Sequence, residues 1–176
     1  MQRRQLLACL AGTAAVAAIS TRAPADQPVR RLTLVRRATD ERLDAIVYGQ
    51  DDRHDGYDRA ALRRLDRLMR DLRANSIHPI DPRLYDILAR IQAHSGRPLV
   101  VHSGFRTHAT QRRLHERGLT TTMNSYHCAA RAVDFHIRGV NSRELADLAR
   151  ANGAGGIGIY RSFVHVDTGP RREWEA

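Results

Sequence analysis

Two short segments of this chain alternate so that chemistry falls on one side and grease on the other. In residues 132–137, Val133, Phe135 and Ile137 share one face of an expected strand, and Asp134 and His136 share the other. In residues 162–167, Phe163, His165 and Asp167 lie opposite Val164 and Val166. If the two strands are neighbours in one sheet, Asp134 and His165 meet over its polar face. His127, in the polar stretch Ser125-Tyr126-His127, can fold back over the start of the first strand. Two imidazoles and a carboxylate suit zinc, and three protein ligands leave a fourth position for water, as in a catalytic rather than a structural site. Spacing of this kind is a weak sign by itself, because His and Asp often meet on polar surfaces.

The elements that would carry these residues are readable in outline. Leu32-Thr-Leu-Val and Ala45-Ile-Val-Tyr predict a pair of short strands, and residues 51–56 a polar loop. Leu62, Leu65, Leu68, Met69 and Leu72 recur at helical spacing, predicting a helix that ends near Ala74-Asn75. Asp81 and Pro82 form a cap and first-turn pair ahead of Leu84, Ile87, Leu88 and Ile91, a second helical stripe. Both stripes are expected to face a core. Leu99-Val-Val predicts a strand running into Ser103-Gly104-Phe105-Arg106, then a helix over about 107–117. Ser142 can cap a short helix bearing Leu145 and Leu148, and the glycine-rich residues 153–158 read as a turn leading into a strand.

The words around the three candidate ligands are more specific than their spacing. Ser125-Tyr126-His127-Cys128-Ala129-Ala130-Arg131-Ala132-Val133-Asp134 resembles the S-x-H-x-x-G-x-A-x-D motif of the zinc D-Ala-D-Ala carboxypeptidase and murein endopeptidase superfamily. Ser103-Gly104-Phe105-Arg106-Thr107 resembles its S-G-Y-R-S segment. Arg73-Ala74-Asn75, Ile80-Asp81-Pro82, Gly155-Gly156-Ile157-Gly158, the run Phe163-Val164-His165-Val166-Asp167-Thr168-Gly169-Pro170, and Trp174 are similar to the exported murein endopeptidase branch with domain of unknown function 882. The resemblance covers residues 32–174. It implies an α+β fold with a small antiparallel sheet flanked by helices, a single Zn2+, and hydrolysis of a peptide bond in peptidoglycan. Carried over by position, His127, Asp134 and His165 are the zinc ligands. Arg106 matches an arginine that contacts substrate and supports the developing oxyanion, a task suited to a guanidinium fork. Ser125 matches a serine near the substrate.

Two positions depart from the pattern. The motif's glycine is Ala130, which implies a backbone that tolerates a methyl group or a reshaped loop. The acidic base that many members carry three residues before the last histidine is replaced by Ser162. Asp167 is the first candidate for that role, since it shares a strand face with His165. The alternatives for Asp167 are to orient His165 or to shape the turn before Thr168-Gly169-Pro170. His136 is the second candidate for the base. Cys128 beside His127 is expected to be a small packed side chain, because a fourth protein ligand would close the site.

At 176 residues the chain has room for one domain with a sizeable core. Arg3 and Arg4, the uncharged run over 6–19, and Ala23-Pro24-Ala25 predict an export signal over 1–25, loosely of the twin-arginine type, leaving a zinc peptidase domain over 26–176. That places the protein in the periplasm or cell envelope with no stable membrane insertion after processing. Loss of Cys9 with the signal leaves Cys128 alone, so no internal disulfide can brace the fold. The formal charge is +10, and all 29 basic residues are arginine. A basic chain favours acidic partners, but only 5% of residues are aromatic and no basic stripe is interleaved with them, which argues against nucleic acid. The expected partner is peptidoglycan, with cross-link cleavage as the first reading. Binding without cleavage and trimming of stem peptides by a D,D- or L,D-carboxypeptidase are the alternatives.

Overall fold

Side-chain caps set where the helices begin. In the computed structural model, which describes residues 30–49, 56–120 and 122–176, helix α1 (Arg59–Leu68) starts where Asp58 Oδ1 accepts the N–H of Ala60 at 2.7 Å and of Ala61 at 3.1 Å. The expected export signal lies outside the described residues. α1 stops earlier than the leucine spacing predicts. Met69 gives its carbonyl to the Phe105 N–H, and Asp71 Oδ1 gathers the N–H groups of Arg73 and Ala74 into a turn. Helix α2 (Pro82–Ser95) opens on the Asp81 cap and closes at Gly96 with a φ of 63°, a left-handed exit that glycine adopts freely.

Seven strands form one sheet: β1 (Arg30–Arg36), β2 (Arg42–Gly49), β3 (Leu99–Ser103), β4 (Ala132–Ile137), β5 (Gly156–Ile159), β6 (Val164–Asp167) and β7 (Arg172–Glu175). Their order is β2-β1-β3-β4-β6-β5-β7. The α+β class holds, but the expected small antiparallel sheet is corrected to a seven-stranded mixed one. The crossover through α1 and α2 returns the chain beside β1 in the same direction, so β1 and β3 are parallel. β7 likewise runs parallel to β5. β7 itself was not legible, because Arg172, Glu173 and Glu175 are exposed and only Trp174 is partly covered.

One sheet face carries Leu32, Leu34, Leu99, Val101, Val133, Phe135, Ile137, Val164 and Val166, all buried. Against it lie α1, α2 and α4 (Ser142–Ala151), which supply Leu62, Leu65, Leu84, Leu88, Ile91 and Leu145 to the same core. The opposite face of β4 and β6 is the polar one. Helix α3 (His108–Glu116), capped by Thr107, stands beside it and buries Thr110, Gln111 and Leu114. Among the described residues no helix is long and apolar enough to cross a membrane.

Candidate metal centre

The strand alternation read from the sequence is realised in the register. β4 and β6 are antiparallel neighbours with Asp134 directly opposite His165. Val133 and Val166, one position away, anchor the same two strands from the core side. His127 arrives from the loop before β4, where the Ser125 carbonyl accepts the Cys128 N–H and the His127 carbonyl accepts those of Arg106 and Ala130. Ala130, at the motif's glycine position, takes a φ of 54° with its methyl buried, so the loop keeps the left-handed turn that glycine would make without strain.

His127 Nε2 lies 3.1 Å from Asp134 Oδ1, and His165 Nδ1 lies 2.9 Å from the same oxygen. All three residues are buried, and their three donor atoms fall within 4.8 Å of one another, a group that could hold a metal ion. Tautomers sharpen the point. His127 Nδ1 is 2.6 Å from the Gly104 carbonyl, which can only accept, so Nδ1 carries the proton and Nε2 turns its lone pair inward. His165 Nε2 is 3.0 Å from Asp167 Oδ2, which likewise leaves Nδ1 facing inward. Two imine lone pairs and a carboxylate oxygen then converge on one point, and only a cation or extra protons can relieve that repulsion. Two atoms each about 2.05 Å from a tetrahedral ion stand about 3.3 Å apart, close to the spacings found.

Burial resists charge on His127 and pushes its pKa down to about 4. Asp134 is buried too, but the attraction of His127 and, when extra protons occupy the inward nitrogens, the hydrogen bonds of His127 and His165 hold its carboxyl well below the usual range. In His165 the same burial is outweighed by hydrogen bonds to Asp134 and Asp167, and its pKa is raised. Arg106 is brought to the site as expected. Its strongest commitment is to Asp134 itself, with Nη2 2.5 Å from Oδ2, while Nε donates to Ser103 Oγ at 2.8 Å and Nη1 reaches Gln111 Oε1 at 3.4 Å. The arginine therefore fixes the Asp134 carboxylate, and Nη1 is its least committed donor.

Asp167, the first candidate for the base, has the surroundings of its alternative, a residue that orients His165. Its side chain is fully buried and every direction is taken: His165 Nε2, the N–H groups of Gly156 and Gly169 at 3.0 and 2.8 Å, and the Arg172 guanidinium at 2.5 Å. Burial alone would raise its pKa, but His165 and Arg172 hold it well below the carboxylate range. A group so stabilised as an anion is a poor base and a good anchor. Ser125 likewise turns its hydroxyl to the backbone, where Oγ accepts the His127 N–H at 3.3 Å. His136 Nδ1 sits 2.7 Å from His102 Nε2, so the second candidate base is one half of a histidine pair at the edge of the site.

In the sequence, Tyr126 and Trp174 stand out only within the resemblance, and Arg172 is not singled out. The Trp174 indole lies over Gly158 and against His165, with ring centroids 5.3 Å apart. The Arg172 guanidinium is sandwiched between Tyr126 and Trp174, 4.7 and 5.3 Å from their ring centres. The partners that matter here are set by β7, an element the sequence pattern does not announce.

An imidazole–carboxylate–imidazole group, open on one side to a groove and braced on the other by a carbonyl, a carboxylate and an arginine, defines a candidate metallohydrolase centre on an α+β scaffold. A family model described as peptidoglycan L,D-endopeptidase MepK matches residues 24–174, and the chain belongs to that family. The peptidoglycan L,D-endopeptidase MepK of Escherichia coli K12 is 38% identical over 184 residues, covering 98% of this chain and 96% of that protein. The probable peptidoglycan L,D-endopeptidase MepK of Haemophilus influenzae is 38% identical over 153 residues, covering 83% and 79%. Among solved structures, the Serratia marcescens L-Ala D-Glu endopeptidase ChiX matches 50% of this chain and 79% of its own at 19% identity, with a TM-score of 0.41.

Proposed function

We propose that this protein is an exported, zinc-dependent peptidoglycan endopeptidase that hydrolyses a cross-link peptide bond in the cell envelope. The observation that carries the reading is the convergence of His127 Nε2, His165 Nδ1 and Asp134 Oδ1 on one buried point, in a chain whose relatives are named for L,D-endopeptidase activity. The bond between an L- and a D-centre is accordingly the first to test.

His127, Asp134 and His165 would hold the ion, which would supply Lewis acidity toward the scissile carbonyl and a nucleophilic water at neutral pH. Gly104 and Asp167 fix the two imidazole tautomers, so that both lone pairs are aimed before substrate arrives. Arg106 takes up one oxygen of Asp134 and leaves the other for the metal, and its Nη1, bonded only at 3.4 Å, is the donor free to turn toward developing negative charge. With Asp167 committed as an anion, the His102–His136 pair holds the titratable nitrogens at the rim of the site that no carboxylate secures. Ser125 shapes the His127 turn, and Tyr126 with Trp174 walls the site beside Arg172.

The test is product analysis by mass spectrometry of muropeptides with defined cross-links, incubated with residues 26–176 with and without a chelator, alongside the zinc content of the protein. Chelator-sensitive cleavage with about one zinc per chain is the expected result. Tight muropeptide binding with no cleavage at any zinc level would replace the enzyme with a binding module.

A further inference from the structure

Strand β1 breaks its own rule at its last residue. Its alternation sends Leu32, Leu34 and Arg36 to the core face. The first two are fully buried leucines, and the third is an arginine only 4% exposed. The Arg36 Nη2 atom reaches the Arg70 carbonyl at 3.4 Å, while Nε and Nη1 are buried with no hydrogen-bond partner. Natural cores rarely leave such donors orphaned, and each case asks for an explanation.

The nearby acids do not answer it. Glu41 is taken by the fork of Arg70, at 2.7 and 2.8 Å. Asp71 is occupied by the backbone N–H and hydroxyl of Thr107 and by the Arg73 N–H. Asp134 is held by Arg106. Burial, and then repulsion from Arg70, lower the Arg36 pKa to about 10, which still leaves it cationic at neutral pH. The charge is therefore real, and although Glu41 and Asp71 attract it from a distance, neither gives Nε or Nη1 a hydrogen bond.

Arg36 lies in the wall of a groove of about 480 Å³ at the carboxyl ends of β1 and β3. Arg73 and Arg106 line the same groove with Phe105 and His102, and so does Asp134, so the groove runs into the metal centre. Both acids that line it, Asp71 and Asp134, are already spent. A ligand here would meet the Arg36 guanidinium, whose Nε and Nη1 have no hydrogen-bond partner, beside Arg73 and apolar walls, a surface that suits a peptide bearing a carboxylate.

We propose that Arg36 is the counter-charge of a subsite that recognises a free carboxylate on the substrate peptide, next to the bond being cut. This rests on the endopeptidase reading and gives it a specificity-determining residue. The carboxylate would supply the acceptor oxygens that Nε and Nη1 lack, which makes the free acid a better substrate than its amide.

The experiment uses L,D-bond peptides in which each carboxylate in turn is a free acid or a primary amide, and reads the free-acid-to-amide ratio of kcat/KM. For one position the parent protein should favour the acid by about tenfold to a hundredfold, the span expected of a charge-assisted hydrogen bond. Arg36→Met should bring that ratio to about one, Arg36→Lys should keep only part of it, and Arg63→Gln, exposed on α1 and outside the groove, should leave it standing. A parent ratio near one at every position overturns the proposal, as does an equal loss on acid and amide in Arg36→Met. Thermal melting without peptide separates folding from recognition: loss of a buried unpartnered cation should leave the Arg36→Met midpoint unchanged or raised. If the parent cuts no peptide, the endopeptidase reading fails instead. Calorimetric binding of the same pairs then decides the subsite, by whether the acid preference exists in the parent and vanishes in Arg36→Met.

Discussion

Asp167 shows how much a single residue's role depends on what surrounds it. As an anchor it donates no chemistry to the substrate; it accepts the Nε2 proton of His165 and so keeps Nδ1 aimed at the metal point. Asp167→Asn should therefore lower zinc affinity by about 10- to 100-fold, the usual cost of losing a carboxylate behind a metal-bound histidine. Turnover should return when zinc is added in excess. Zinc titration with a competing chelator and rates at saturating zinc check this, and a variant that binds zinc like the parent but stays inactive would restore Asp167 as the base. The meeting of Asp134 and His165 was legible in the sequence because alternation is local: knowing that 132–137 and 162–167 are strands fixes which side chains share a face. The commitments of Asp167 and Ser125 were not. They depend on the Arg172 side chain, two backbone N–H groups brought in by β5 and a turn, and the His127 N–H, none of which a motif encodes.

At the scale of elements, the placement of β5 between β6 and β7 sets the wall of the site. Gly158 pairs with His165 on one side and Trp174 on the other, and a Cβ at 158 would stand 2.6 Å from the Trp174 ring. The indole can lie on the backbone only because nothing projects there. Gly158→Ala should push the ring away from His165, costing about 1–3 kcal/mol as an overpacked contact. Trp174 is the sole tryptophan, so its emission should shift in this variant and the midpoint of denaturant unfolding should fall; an unchanged spectrum would mean that the ring is not seated there. The hairpin β1–β2, both long apolar stripes and the central strands were readable from periodicity. The parallel pairings were not, because they follow from where α1 and α2 return the chain, and β7 has too few apolar residues to show a pattern. The early end of α1 was hidden for the same kind of reason: Leu72 continues the spacing, but Asp71 and the Phe105 N–H claim the backbone first.

For the molecule as a whole, a candidate metal centre built over one face of the sheet would tie folding to both metal and protons. His102 is kept neutral by burial and by its neighbour His136, which lower its pKa to about 4, against about 6.5 in an unfolded chain. Because the folded state holds its proton more weakly, its contribution to stability is complete above pH 6.5 and is lost as pH falls toward 4. Burial gives His127 a shift of the same direction, while the raised pKa of His165 works the opposite way, adding stability in acid that fades as pH rises through that value. With His102, His127 and His136 lowered against His165 raised, the chelated protein should melt at a lower temperature at pH 5 than at pH 7. His102→Asn should flatten that slope, since an asparagine has no proton to gain. Zinc adds a further dependence, because its ligands must be deprotonated to bind. At a 100- to 1,000-fold excess over its dissociation constant, the ion should stabilise the fold by about 3–4 kcal/mol, or about 6–16 °C for a chain of this size. Melting curves with zinc and with chelator should stand that far apart at pH 7.5 and converge toward pH 5, as protons displace the metal from the two imidazoles. A gap of the same width at both pH values would mean that the stabilising ion is bound by carboxylates alone, and would remove His127 and His165 from its coordination.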